Sequence, residues 1–257
     1  MERLDCDLAL LMLHGEFGED GTVQAILERR GIAYTGSDAP TSARAMNKDA
    51  CKRLFVENGI PTPRWVAVDD PDRACDSVLS GGLRLPFFVK PNCRGSSVGV
   101  GRVDTLEQLP DAVTEALNQD SLALVEEMVA GRELTVGWLD GRVLPTVELV
   151  ADGTFYDYRA KYVSEATRYI CPADLEPETH KNIDRYVQAV ADIIGVRDVS
   201  RVDVMLGDSG PNILEINTLP GFTTHSLVPR AAAAAGLALP QLCMKLVEMA
   251  ASRLKTV

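Results

Sequence analysis

Two apolar segments near the C-terminus, joined by a short glycine-containing turn, constrain the fold more than any other part of the chain. The first reads Arg201-Val202-Asp203-Val204-Met205-Leu206, and the second reads Asn212-Ile213-Leu214-Glu215-Ile216-Asn217. The turn between them is Gly207-Asp208-Ser209-Gly210. Aliphatic and β-branched runs that flank such a turn predict a β-hairpin.

The polar residues of this hairpin fall on defined faces. Side chains alternate along a strand, so Arg201 and Asp203 share one face of the first strand, and Glu215 and Asn217 share one face of the second. Two carboxylates and an amide oxygen on a rigid sheet suit Mg²⁺ or Mn²⁺, which are commonly held by few protein ligands and by substrate phosphates. Any half-exposed strand shows similar alternation. Together with the other motifs, the hairpin predicts a metal–nucleotide enzyme.

Composition excludes several classes of protein. The 257 residues can form one large domain or two small ones, and the net charge of −11 argues against a nucleic-acid or anionic-membrane surface. The six cysteines have no C-x-x-C spacing, which argues against a zinc site or a disulfide framework. With no segment long enough to span a bilayer and no signal peptide at the start, these features predict a cytoplasmic protein.

The pattern of apolar residues and helix-ending signals predicts an α/β chain of mixed (α+β) type. In the first part we expect a strand over residues 8–13, a helix over 22–30, a strand over 32–35 and one helix over 42–58, with Ser42 as its N-cap. Pro61 and Pro63 then mark a boundary. Strands follow at 65–68, 87–90, 123–126, 133–139 and 143–150, with helices near 105–118 and 177–194. The predicted units are residues 1–60, 61–150 and 151–257.

A glycine-rich loop directly follows the strand that ends at Lys90. Its sequence, Gly95-Ser96-Ser97-Val98-Gly99, lets backbone N–H groups approach a phosphate, and the lysine adds charge. The lysine precedes the loop, so the segment is not a Walker motif. A serine–glycine segment is also an ordinary turn, and the loop by itself does not decide between the two.

Two further acidic segments each have a structural and a functional interpretation, and the sequence by itself does not choose between them. Glu126-Glu127 ends a strand and Glu133 follows a turn, so these carboxylates either accept hydrogen bonds from a nucleotide or are solvated strand ends. The loop from His14 to Gly21 contains three glycines and three acids before a helix. Its acids either cap that helix, or the helix N-terminus orients an anionic group with His14 as a donor.

Taken in order, these segments resemble the D-alanine–D-alanine ligases of the ATP-grasp superfamily. The matching stretches are LHGEFGEDGTVQ, VKPNCRGSSVGV, ALNQD with LVEE and GRELTV, FYDYRAKY, RVDVML, EINTLPGFT and HSLVP, and they extend over nearly the whole chain. The resemblance implies an ATP-grasp fold with a truncated N-terminal α/β domain. It also implies ATP-driven joining of two D-alanines for peptidoglycan synthesis, through an acyl phosphate and a tetrahedral intermediate.

For the nucleotide, the resemblance implies ATP with two Mg²⁺ or Mn²⁺ ions. Lys48 and Lys90, with the loop residues Ser96 and Ser97, would hold the phosphates, Glu126 and Glu133 would meet adenine and ribose, and Phe155 would cover the base. Lys161 would reach the transferring phosphoryl group. The metal ligands would be Asp203, Glu215 and Asn217.

For the amino-acid substrates, the resemblance implies an oxyanion site made by Arg201 and the backbone of Gly221. Ser226 and Leu227, just before a helix, would receive the carboxylate of the second D-alanine, and His14 would contact substrate. Tyr162 and Ser96 would join a mobile loop to the glycine-rich loop. Relatives that use D-lactate tend to lack this tyrosine, so an amine acceptor is favoured.

The front of the chain differs from the family pattern. Family members typically carry a strand and helix before the His-Gly loop, with an acidic residue for the ammonium group of the first D-alanine. The sequence begins just before the His14 loop, so we expect weak binding of the first substrate. The apolar edge at residues 8–13 predicts either a homodimer or poor solubility.

Two alternatives to this reaction stay open from the sequence. One is an ATP-grasp ligase that joins another carboxylate to an amine. The other is a nucleotide-binding protein of the same fold without turnover. The second alternative gives no packing reason for the predicted site residues to occur together, namely Lys48, Lys90, Lys161, Arg201, Asp203, Glu215 and Asn217.

Overall fold

The computed structural model describes residues 5–95, 98–151 and 167–254. In these ranges the strands form three sheets. In the first part of the chain, β1 (Leu8–Ala9) and β2 (Ala33–Tyr34) pair in parallel on either side of α1 (Thr22–Arg29). The strand expected over residues 8–13 is therefore wrong beyond Ala9. The Leu11 N–H donates to the Thr35 hydroxyl at 3.0 Å, so the backbone leaves the sheet there.

The single helix expected over residues 42–58 is two helices, α2 (Ala39–Met46) and α3 (Lys48–Glu57). The N-cap of α2 is Asp38, whose carboxylate accepts from the Thr41 N–H at 2.9 Å, so the assignment of Ser42 as the cap is wrong. Asn47 starts α3 by accepting from the Ala50 N–H at 2.9 Å. An Asx cap inside a continuous apolar pattern thus divides the helix.

The central unit is an antiparallel four-stranded sheet in the order β3-β6-β4-β5, covered by helices α4 and α5. One face buries Phe87, Val89, Ala123 and Val125 against these helices. The other face carries Lys90 and Glu126, since side chains alternate across the pleat. The elements are β3 (Trp65–Val68), α4 (Ala74–Ser80), β4 (Phe87–Pro91), β5 (Gly101–Val103), α5 (Leu109–Leu117) and β6 (Ala123–Glu127).

The remaining strands form a six-stranded sheet in the order β10-β9-β7-β11-β12, with β8 paired to β7. This sheet begins at Arg132, which is earlier than the division predicted at residue 150, and the three-unit division stays a prediction. Helix α6 begins at Pro177 as expected and ends at Ile194. The elements are β7 (Arg132–Leu139), β8 (Arg142–Val143), β9 (Val147–Ala151), β10 (Thr167–Ile170), α6 (Pro177–Ile194), β11 (Val199–Gly207), β12 (Gly210–Asn217), α7 (Leu227–Ala234) and α8 (Leu239–Ala251).

The alternation of β11 separates the core from the polar face of this sheet. Val202 and Val204 are fully buried in the cluster that α6 covers. Arg201 and Asp203 point to the opposite face. The sheet therefore presents a rigid polar surface on the side away from α6.

A buried ion pair joins the end of the chain to the first strands. Asp198, which is 5% exposed, accepts from Arg253 Nη1 at 2.7 Å and Nη2 at 2.6 Å, and from the Gly36 N–H at 2.8 Å. Arg253 also donates to the Tyr34 carbonyl at 2.8 Å. These contacts hold β2 against α8 and the start of β11.

Within the described ranges, no single helix is long and apolar enough to cross a membrane. Helices α7 and α8 reach that length and composition only as a pair, and they are bent by 102° relative to each other.

Candidate active site

A cavity of about 520 Å³ lies on the polar face of the six-stranded sheet. This volume is in the range of small-molecule sites. Its walls come from the sheet, the start of α3, the loop before α1 and the start of α7. Most of the predicted site residues that the structure describes line it, namely His14, Lys48, Glu133, Arg201, Asp203, Glu215, Asn217, Gly221, Ser226 and Leu227.

The predicted hairpin is confirmed by the register of β11 and β12. Arg201 is paired with Asn217 and Asp203 with Glu215, and a bulge between Asp203 and Val204 follows. Arg201 donates from Nε and Nη2 to the two oxygens of Asp203, both at 2.9 Å. The hairpin turn is local in sequence, and for this reason the pattern alone was enough to align these side chains.

The donor set on the hairpin fits a hard divalent cation. Asp203 and Glu215 contribute carboxylates, and Asn217 contributes an amide oxygen that accepts from the Leu219 N–H at 2.8 Å. Among the described residues, no group of three His, Cys, Asp or Glu side chains is placed to hold a metal. An ion at this position would thus need the amide of Asn217 as its third protein ligand.

Lys48 connects the metal-ligand side of the cavity to the glycine-rich loop. Its Nζ donates to the Arg94 carbonyl at 2.6 Å and lies 3.6 Å from Glu215 Oε2. Two backbone contacts fix the start of α3, where the Lys48 N–H donates to the Asn92 carbonyl at 3.2 Å and the Asp49 N–H to the Asn92 side chain at 2.9 Å. The ammonium group is therefore held at the entrance to the loop.

The three acids of the His14–Gly21 loop have three different partners. Glu16 forms an ion pair with Arg94. Glu19 accepts from Asn217 Nδ2 at 3.0 Å and from the Gly15 N–H at 2.6 Å. Asp20 accepts from the Phe17 and Thr22 N–H groups, and although burial raises its pKa, these hydrogen bonds outweigh burial and the net shift is downward. Only Asp20 makes the helix-start contact that the sequence left open for all three.

The opposite wall brings His14, Gly221 and Ser226 together. A Cβ atom at position 221 would lie 2.7 Å from Ser226 Oγ and 3.7 Å from His14 Cε1, so a larger residue there would displace the Ser226 hydroxyl. Ser226 Oγ accepts from the Thr223 N–H at 3.0 Å, and Ser226 is the N-cap residue of α7. The backbone N–H groups at the start of α7 are thus at the edge of the cavity.

Lys90 and Glu126 lie outside the lining of this cavity. Glu126 is buried, with Oε1 2.9 Å from Lys90 Nζ and Oε2 2.5 Å from Lys52 Nζ. Burial raises the pKa of Glu126, but the two lysines lower it more, so the net pKa is below its ordinary value. The predicted contact of Glu126 with adenine stays a prediction.

Five predicted residues lie outside the described ranges: Ser96, Ser97, Phe155, Lys161 and Tyr162. The sequence interpretation in turn missed Glu19, Thr135 and Lys52. Thr135 shares a face of β7 with Glu133, and its hydroxyl donates to Asp203 Oδ1 at 2.6 Å. The alternation of side chains along this strand could have indicated that placement. Glu19 was one of three loop acids whose role the sequence left open, and the burial of Lys52 has no local sequence signal.

Two sheets with a lysine- and carboxylate-lined cavity against one of them define an ATP-grasp fold, as predicted. The chain belongs to the D-alanine–D-alanine ligase family. Residues 54–248 match the family model for the D-ala D-ala ligase C-terminus, and residues 1–37 match the model for its N-terminus.

Individual relatives agree with this assignment. The D-alanine–D-alanine ligase of Hydrogenovibrio crunogenus is 45% identical over 244 residues, covering 95% of this chain and 77% of the relative. That of Methylacidiphilum infernorum is 40% identical over 256 residues, covering 98% and 81%.

Solved structures show the same similarity. The Bacillus anthracis D-alanine–D-alanine ligase complexed with ATP matches with a TM-score of 0.86 at 32% identity, covering 96% of this chain and 80% of that one. The VanG D-Ala:D-Ser ligase of Enterococcus faecalis gives the same TM-score and identity, covering 96% and 74%.

Proposed function

We propose that the protein joins two D-alanines to D-alanyl-D-alanine in the cytoplasm, with conversion of ATP to ADP and phosphate, for peptidoglycan precursor synthesis. Family membership over nearly the whole chain is the observation that carries this proposal. The six free cysteines are in keeping with a reducing compartment. The homodimer expected from the edge at β1 stays a prediction, which light scattering would test.

In the proposed reaction, a carboxylate oxygen of the first D-alanine attacks the γ-phosphorus of ATP, and ADP leaves. The amine of the second D-alanine then attacks the acyl carbon, the tetrahedral intermediate releases phosphate, and the nitrogen loses a proton. Mg²⁺ or Mn²⁺, held by Asp203, Glu215 and Asn217, would neutralise charge on the phosphates, and two ions are the number that we propose.

The described side chains have separate tasks in this scheme. Lys48 holds phosphate oxygens, and Arg201 with the Gly221 N–H donates to the oxyanion of the intermediate. The start of α7, with Ser226 and Leu227, receives the carboxylate of the second D-alanine, since a helix N-terminus favours an anion. His14 lies beside Gly221 and contacts the same substrate. The roles of Lys90, Ser96, Ser97, Glu126, Glu133, Phe155, Lys161 and Tyr162 stay as the family resemblance implies.

The acceptor decides the exact activity. We expect phosphate release from ATP to be stimulated by D-alanine much more than by D-lactate or D-serine. D-serine belongs in the test because a D-Ala:D-Ser ligase is as similar in fold as the D-alanine–D-alanine ligase. A coupled phosphate assay with each acceptor, and mass spectrometry of the product, measure this. Preference for D-lactate would contradict the proposed acceptor, and ATP binding without turnover would favour the non-catalytic alternative.

Metal-dependent nucleotide binding should depend on Glu215. We expect Glu215→Ala to weaken Mg²⁺–ATP binding about tenfold, because one of two anionic ligands is lost. Asp208→Ala is the matched control, since Asp208 is an exposed carboxylate in the turn of the same hairpin. Calorimetric titration gives both affinities, and equal affinity in wild type and Glu215→Ala would remove Glu215 from the metal site.

A further inference from the structure

Lys52 is a fully buried cation that the proposed mechanism does not use. Its side chain is 0% exposed, on the face of α3 that meets the central sheet. The Nζ atom lies 2.5 Å from Glu126 Oε2, 2.6 Å from Thr62 Oγ1 and 3.3 Å from the Pro63 carbonyl. Two hydrogen bonds, to Thr62 and to the Pro63 carbonyl, and the ion pair with Glu126 hold this ammonium group in place. Lys52 is therefore a fixed charge that cannot itself reach a ligand in the cavity.

Glu126 links Lys52 to Lys90. One carboxylate oxygen faces each lysine, and within the described part of the chain Glu126 is the hydrogen-bond partner of the Lys90 ammonium. Lys90 is also the most exposed of the three, with 11% of its side chain accessible against 5% for Glu126. Two cations and one anion give this buried cluster a net charge of +1.

The net charge of this cluster depends on Lys52. If Lys90 and Glu126 were alone, they would neutralise each other and offer little attraction to an anion. With Lys52 present, the charge of Glu126 is already balanced, and the charge of Lys90 remains. This matters in a chain of net charge −11, because an anionic nucleotide is otherwise repelled by the protein as a whole.

We infer that Lys52 is a positioning residue for nucleotide binding: it takes up the charge of Glu126 and so leaves the charge of Lys90 for the phosphates of ATP. The inference rests on the proposed function, since it assumes that ATP is the ligand. It concerns ATP binding and not the amino-acid substrates, whose predicted contacts line the cavity, whereas Lys90 and Glu126 lie outside that lining.

The protonation of Lys52 provides a second way to test this role. Burial lowers the pKa of Lys52 to about 8, against the attraction of Glu126, which raises it. The other charged groups that act on Lys52 are Lys90 from β4, which lowers the pKa, and Glu215 from β12, which raises it. The remaining neighbours, Thr62, the Pro63 carbonyl and the Trp65 ring at 5.3 Å, are uncharged.

The first test compares ATP affinity between matched variants. We expect Lys52→Met to weaken ATP binding in the presence of Mg²⁺ about tenfold at pH 7, with an unchanged KM for D-alanine. Lys245→Met is the control. Lys245 lies on α8, and its Nζ atom pairs with Oδ2 of exposed Asp140 at 2.7 Å. A wild type that does not bind ATP would count against the proposed function. A wild type and a Lys52→Met variant that bind ATP equally well would overturn the inference alone, even if the variant unfolds at a lower temperature.

The second test needs no variant of Lys52. Protonated Lys52 is the form that balances Glu126, so ATP affinity of the wild type should be highest below the pKa of about 8 and fall as the pH rises through that value. Phosphate groups are already ionised above pH 7 and contribute little to this change. Lys90→Met should show a weaker fall that is shifted to higher pH, because the charge that Lys52 leaves for the phosphates is then absent and Lys90 no longer lowers the pKa of Lys52. A flat wild-type profile from pH 7 to 9 would overturn the inference.

Discussion

Replacing Arg201 by lysine should reduce formation of D-alanyl-D-alanine about 100- to 1,000-fold while ATP binding is largely kept. Arg201 uses two guanidinium nitrogens to hold both oxygens of Asp203, each at 2.9 Å. A lysine ammonium cannot reproduce this fork, so it either keeps the pair with Asp203 or turns towards the substrate. The loss should fall on kcat, since the proposed oxyanion forms only during the reaction.

Dipeptide formation at saturating ATP and D-alanine measures the effect. Arg185→Lys is a suitable control, because Arg185 lies on α6, where it stacks on Tyr186 at 4.8 Å and does not line the cavity. A thermal unfolding curve of each variant separates lost chemistry from lost fold. Wild-type kcat in Arg201→Lys would rule out an oxyanion role for this guanidinium group.

The second large effect concerns stability. Asp198→Asn should lower the free energy of unfolding by roughly 2–4 kcal/mol, because Arg253 would lose its charged partner in a mostly buried setting. Asparagine tolerates the left-handed backbone at this position, where φ is 61°, so the change tests charge and not backbone strain.

Asp140 provides a close control for this change. It also has a positive φ, of 51°, and pairs with a lysine, but its side chain is 52% exposed compared with 3% for Asp198. Asp140→Asn should therefore cost less than about 1 kcal/mol. Urea unfolding of both variants measures the difference, and equal costs would show that burial of the Asp198 pair contributes nothing.

What the sequence could predict depended on how local the determining interactions are. The β11–β12 hairpin and helix α6 were predicted from their own residues, because a turn and an amphipathic pattern define them. The expected helix over residues 42–58 failed because Asn47 caps a new helix inside a continuous apolar pattern. The strand at residues 8–13 ended early because a hydroxyl from another segment, Thr35, takes the next N–H group.

Residues of the candidate site were likewise predicted only where local contacts place them. Arg201, Asp203, Glu215 and Asn217 were aligned correctly because one hairpin carries all four. The burial of Glu126 between Lys52 and Lys90 joins two strands and a helix, and no local pattern shows which lysines meet a given carboxylate. The role of Glu19 was left open by the sequence, since its partner Asn217 lies 198 residues further along the chain.

The three acids of the His14–Gly21 loop have a consequence for how this segment tolerates change. Glu16 reaches Arg94 of the glycine-rich loop, Glu19 reaches Asn217 of the six-stranded sheet, and Asp20 binds N–H groups of its own loop. A point substitution would remove one of these contacts and leave the other two. Insertion or deletion of one residue would displace every contact beyond it at once. An insertion or deletion in this segment should therefore be tolerated far less well than a substitution of any one of its acids.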